Sequence, residues 1–301
     1  MTMDGATTAV IRSQQDEMLA LIRRLYPICR SITGNGVRET LHIMQEQIPL
    51  EIHEVPSGTK VFDWTVPDEW NIDDANISRM NGEKLIDFKK LNLHVVSYST
   101  PFEGTVTLEE LKQHVHTIPE HCDWVPYRTS YYKRDWGFCM AHTQLQSLTD
   151  REYRVCIQSS LKPGSLTYGE LFLPGRTRDE VLISCHICHP SLCNDNLSGV
   201  ALAVALAKQL SQADLRYSYR FLFIPGTIGS ITWLALNTEK ARSIRHGLVV
   251  TGVGGPGNPT YKKSRRGNAE IDRATAHVLG HAGPHTVLEF TPYGYDERQY
   301  C

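Results

Sequence analysis

The chain has 301 residues, 41% hydrophobic and 21% charged, which suits one large soluble domain or two modest ones. A formal net charge of -2 gives no global drive toward nucleic acid or an anionic membrane, and no apolar run approaches the roughly 18 residues of a membrane span. The eight cysteines are scattered, and Met1 to Gly5 lack the basic and apolar regions of a secretory signal, so the reading is a cytoplasmic protein with reduced thiols.

Residues 14–29 place Met18, Leu21, Ile22 and Leu25 on one face and predict a helix. Thr33 to Gly36 breaks the chain, and a second amphipathic helix is predicted from Val37 to Gln47, with Leu41, Ile43 and Met44 inward. Leu50 to Val55 alternates like a half-buried strand. From Ser57 to about Val125 tryptophans, prolines and short alternating runs dominate, with a hairpin signal at Asn81-Gly82 and one short capped helix from Thr107 to His114.

Strand–helix alternation begins near Arg154. Strands are predicted at Arg154–Gln158, Leu166–Leu173, Leu182–Cys185, Tyr217–Ile224 and Leu248–Val253, with helices at Leu197–Leu210 and Thr227–Asn237. Alternation of this length implies right-handed crossovers. The fold class is therefore α/β, with a mostly parallel central sheet flanked by helices and a small, mainly β inserted subdomain. Residues 1–56 and 131–301 are assigned to the α/β domain and 57–130 to the insertion. Pro292 to Cys301 has no terminal helix, cap or polar tail, and reads as a chain cut within a loop or strand.

The segment Val181 to Gly199 carries the strongest chemical signal. A short apolar strand delivers His186 to its C-terminal end, where sites of open α/β sheets lie. The polar loop that follows delivers Asp195 at a helix start. Imidazole and carboxylate both suit zinc. The plainer alternative is a loop histidine with a helix-capping aspartate. Asn194-Asp195-Asn196 is too polar for a core segment, which favours the metal reading.

Other candidates fall away. Cys185 and Cys188 form a Cys-x-x-Cys with Cys193 nearby, but no second pair at matching spacing completes a structural zinc site, and Pro190 follows too soon for a redox motif. Ser230 lacks the Gly-x-Ser-x-Gly context of a nucleophile. Gly252 to Gly257 completes no nucleotide-binding pattern. The basic run Lys262 to Arg266 reads as a solvated loop.

At His186 and Asp195-Asn196-Leu197-Ser198-Gly199 the sequence resembles the co-catalytic zinc aminopeptidases. More closely, it resembles a bacterial aminopeptidase-like family of unknown function that carries a small inserted domain and usually ends in a winged helix. The likeness runs through Leu25 to Gly34, Asp63 to Pro67, Ser184 to Pro190, Tyr261 to Arg265 and Tyr293 to Tyr300. It implies that His186 binds one zinc and Asp195 bridges two. It also implies a general-base glutamate at position 226, an acidic ligand in the 254–256 loop and a last histidine beyond residue 301. This chain has Gly226 and Gly255 instead.

The expectation is a metal-dependent hydrolase of a peptide or other amide bond, with His186 and Asp195 as metal ligands and no catalytic residue assigned. Zinc is the cofactor, held weakly or lost with so few ligands. His189 could substitute as a ligand but is not assigned. The alternative is a non-catalytic descendant or fragment that binds a ligand or partner. Nucleic-acid and membrane partners are not expected.

Overall fold

The structure is a computed structural model describing residues 5–131 and 133–300, with side chains from Arg12 onward. Most of the reading of the first five residues, and the final Cys301, lie outside the described residues. Two helices open the chain, α1 (Gly5–Leu25) and α2 (Asn35–Gln45). α1 ends at Leu25, ahead of Pro27, and α2 buries Val37, Leu41 and Met44 at helical spacing. Gly34, at φ 101°, makes the turn between them. A Cβ there would meet the Trp70 carbonyl oxygen at 2.1 Å, so only glycine lets the turn close.

Strand β1 (Glu51–Pro56) follows, then four strands of a second sheet: β2 (Glu69–Ser78), β3 (Lys84–Asp87), β4 (Phe102–Thr107) and β5 (Glu152–Lys162). β2 and β3 form the hairpin expected at Asn81-Gly82, where Gly82 adopts φ 92°. The short helix Leu108–Gln113 is capped by Thr107, whose hydroxyl accepts from the Glu110 amide. The chain then enters β6 (Ser165–Leu173), β7 (Glu180–His186), α3 (Gly199–Leu210), β8 (Ser218–Ile224), α4 (Ile228–Leu236) and β9 (Ile244–Val249).

The central sheet has the order β1-β6-β8-β7-β9. β7 runs parallel to β8 and β9, while β6 is antiparallel to both β1 and β8, so four of the five strands share one direction. Alternation along the strands divides the core. Val181, Ile183, Cys185, Phe221 and Phe223 face α1, α2 and α3. Leu182, Leu222 and Ile224 face α4, through Ile228 and Trp233, and join the apolar residues of the second sheet.

Two expectations need correction. Arg154–Gln158 belongs to β5, which pairs antiparallel with β2 and β4 in the second sheet of order β3-β2-β5-β4. The expected division at residue 130 therefore cuts across that sheet, and among the described residues none between 57 and 164 joins the central one. A period-two pattern marks a strand but not its partner. The last central strand starts at Ile244 rather than Leu248, because Arg245 and His246 mask a strand paired on one side only. Deep in the sheet, the guanidinium of Arg220 is paired with Glu170 and Glu180, which satisfies three buried charges together.

Arg38 ties α2 to both sheets. Its guanidinium donates to Glu69 at 2.6 and 2.8 Å and to Glu54 at 2.8 and 3.1 Å. Glu69 also accepts from the Ser165 amide at 2.9 Å. The bond from Arg38 is the main reason its carboxyl falls from 4.5 to about 2. A carboxyl lowered by folding stabilises above its unfolded value and loses that contribution as the pH falls through the folded one. Glu69→Gln is expected to lower the unfolding midpoint at pH 7, with the gap to the unmodified chain closing between about pH 4.5 and 2. Denaturant titrations across that range check it; a gap independent of pH contradicts it.

Candidate metal centre

β7 ends at His186, opposite Ile224 of β8, so the parallel register itself sets the histidine at the carboxyl edge of the sheet. Its side chain is 1% exposed. The loop turns through Pro190 and reaches an irregular turn, Cys193–Ser198, in which Asp195 and Asn196 leave helical angles before α3 begins. That departure lets Asp195 face back toward the strand end. The His186 Nε2 group meets Asp195 Oδ1 at 2.7 Å. His189 Nδ1 lies 3.3 Å from Asp195 Oδ2, and His186, His189 and Asp195 offer ligand atoms all within 4.8 Å of one another.

The two asparagines explain the polarity of the segment. Asn196 donates to the Val250 carbonyl at 2.9 Å and accepts from the Gly252 amide at 3.1 Å. Asn194 accepts from the Gly254 amide at 2.8 Å. Both fasten the 250–254 loop beside Asp195. On the other side, buried Arg30 donates through Nε to the His189 carbonyl at 3.1 Å.

The electrostatics follow from these contacts. Burial works against ionised Asp195, but hydrogen bonds from His186 and His189 outweigh it and hold the carboxyl well below its usual range. Burial likewise works against protonated His189, yet Cys188 and Asp195 beside it prevail and raise it above the ordinary imidazole range. A metal ion held here would have to displace protons from imidazole, so its affinity would fall with falling pH. Two imidazoles and one carboxylate are the donors of a catalytic zinc site.

The sequence reading paired His186 with Asp195, and the two side chains meet. It did not assign His189. It missed Tyr295 and Asp296 altogether. The Tyr295 ring stacks on His186, centroids 4.7 Å apart at 10°, and its hydroxyl donates to Asp195 Oδ2 at 2.9 Å. Asp296, 1% exposed, accepts from the Thr227 amide at 2.5 Å through Oδ1, while its Oδ2 has no hydrogen-bond partner, and burial raises its carboxyl above the usual range. The signal was the run from Tyr293 to Tyr300, aromatic and charged and one of the blocks that carry the family likeness, which assigns neither residue a role. Ser230 is buried and donates to the Thr227 carbonyl, packing the first turn of α4. No cysteine joins the metal-ligand group among the described residues.

The model of the DUF4910 family, a domain of unknown function, matches residues 19–301. The chain belongs to this family. It is 56% identical over 285 residues to a Clostridium acetobutylicum protein described, provisionally, as a polysaccharide biosynthesis protein with an aminopeptidase-like domain. That match covers 94% of this chain and spans 66% of the relative's length. A crystal structure described provisionally as that of a peptidase from the same organism superposes with a TM-score of 0.95 at 54% identity, covering 98% of this chain and 70% of that one. BSAP, a zinc aminopeptidase from Bacillus subtilis, superposes with a TM-score of 0.61 at 12% identity, covering 92% and 79% of the two chains. The DUF4910 chain thus has the zinc-aminopeptidase type of fold.

Within this DUF4910 chain, positions 226 and 255 bear no side chain to act. A Cβ on Gly226 would lie 3.6 Å from His186 Cβ, and one on Gly255 would lie 3.5 Å from Asn194 Nδ2, both ordinary contacts. A Cβ is thus accommodated at both. Asn196→Ala is expected to strand the Val250 carbonyl and Gly252 amide, at about 1–3 kcal/mol of stability. Amide exchange at Gly252 should accelerate; unchanged exchange and stability contradict the fastening role.

Proposed function

We propose that the chain is a metal-dependent, aminopeptidase-like hydrolase of a peptide or other amide, with zinc held by His186, His189 and Asp195. The observation that carries the reading is the convergence of these three donors at the carboxyl edge of the central sheet, on the fold of zinc aminopeptidases. His189 brings the protein donors to three, the usual number in a catalytic zinc site. Zinc, when bound, polarises a substrate carbonyl and makes water a stronger nucleophile.

The protein's residues do the rest. Asp195 and the imidazoles position the ion. The 250–254 loop, pinned by Asn194 and Asn196, walls one side, and Tyr295 lies across His186. Residues 57–164 are read as an inserted subdomain beside this edge. What the chain lacks is a carboxylate at 226 to take the proton from attacking water.

Gly226 and Gly255 favour a second reading, a non-catalytic descendant that binds a peptide or amide ligand at the same edge. Hydrolysis of aminoacyl-nitroanilides with added zinc separates the two. Weak, chelator-sensitive turnover is expected from the unmodified chain, since bound zinc would still activate water with no carboxylate at 226 to take its proton. With three donors already in place, Gly226→Glu is expected to raise turnover by about 10²–10⁴-fold, the usual contribution of a general base, in a chelator-sensitive manner. A Gly226→Glu chain that binds zinc but stays inactive sinks the hydrolase reading and leaves the binding one. Robust, chelator-sensitive turnover by the unmodified chain means that another residue already serves as base.

A further inference from the structure

We propose that the centre formed by His186, His189 and Asp195 takes one divalent ion and not two, because the Tyr295 hydroxyl closes the second position. This rests on the metal reading above and concerns how many ions that site admits. A carboxylate that bridges two ions gives one oxygen to each. Here Asp195 Oδ1 faces His186 Nε2 at 2.7 Å. Oδ2 faces His189 Nδ1 at 3.3 Å and also accepts the Tyr295 O–H at 2.9 Å. Although the two imidazoles meet different oxygens, the donor atoms of His186, His189 and Asp195 all lie within 4.8 Å of one another, so they gather around one space, and the remaining approach to Oδ2 is filled by a phenol.

The phenol is held from two sides. Its ring lies flat on His186, 4.7 Å between centroids. The next residue, Asp296, is buried and bonded to the Thr227 amide at 2.5 Å, and Arg298 donates to the Thr227 hydroxyl at 3.1 Å. Moving the hydroxyl off Asp195 requires unstacking the ring or lifting this anchored turn.

A second ion would also need donors of its own. The nearest candidate wall is the loop fastened by Asn194 and Asn196, and it offers Gly252, Gly254 and Gly255. No other His, Cys, Asp or Glu joins the group among the described residues. Two obstacles thus stand in series: an absent donor at the loop and an occupied oxygen on Asp195.

Removing them one at a time tests the proposal. The full chain and its variants are dialysed against zinc, the zinc-to-protein ratio is measured by atomic emission, and circular dichroism verifies folding. The unmodified chain is expected to hold one zinc. Gly255→Asp, whose Cβ would meet only ordinary contacts, is expected to hold one still, since Tyr295 keeps Oδ2. Gly255→Asp with Tyr295→Phe is expected to hold two. Gly255→Glu repeats the comparison if the aspartate variant loses its fold. A ratio of two in the unmodified chain or in Gly255→Asp alone overturns the proposal, as does a ratio of one in the double variant. A ratio of zero in the unmodified chain is a separate result, and removes the metal reading on which the proposal rests.

Discussion

The carboxylate of Asp195 is the contact on which the edge of this protein is organised. Three segments reach it: the end of β7 through His186, the loop that follows through His189, and the distant C-terminal run through Tyr295. A half-buried carboxylate stays ionised only when its partners outweigh desolvation, and here two imidazoles do so. Without it, a 1% exposed imidazole would lose its acceptor, the phenol would lose its anchor, and the strand-end loop would have no reason to turn back.

The sheet beneath makes that geometry rigid. Parallel pairing of β7 with β8 and β9 fixes where His186 emerges, and residues alternating along those strands seal both faces with apolar side chains. Arg220 with its two glutamates binds neighbouring strands inside the layer, while Arg38 joins α2 to both sheets. A site built from strand ends and a short loop keeps its donors in place through this frame and not through the loop's own stability.

Much of this was legible in the sequence. The apolar run ending in His186, the polar triplet around Asp195 and the helix after it are local features, and local periodicity reports them well. The Asn81-Gly82 hairpin and the Thr107 cap were equally local. What the sequence hid was pairing across distance. β5 has the alternation of any strand, and nothing in Tyr153, Val155 or Ile157 names β2 as its neighbour. His189 sits next to Cys188 and three residues from His186, in a run where histidine and cysteine both pass for loop or core. Tyr295 lies 100 residues beyond Asp195, with Asp296 next to it, and only the fold brings that run back over the strand end. Gly226 and Gly255 were readable as departures, but the ordinary space around each came only from the structure.

On the proposed reading, His186, His189 and Asp195 would hold the ion, while positions 226 and 255 carry glycine. The most direct measurement of the central claim is a crystal structure of the zinc-soaked chain with anomalous data at the zinc edge. One anomalous peak is expected, about 2.0–2.2 Å from a nitrogen of His186, a nitrogen of His189 and an oxygen of Asp195. No peak at that edge of the sheet, or a zinc held there by other residues, would contradict it.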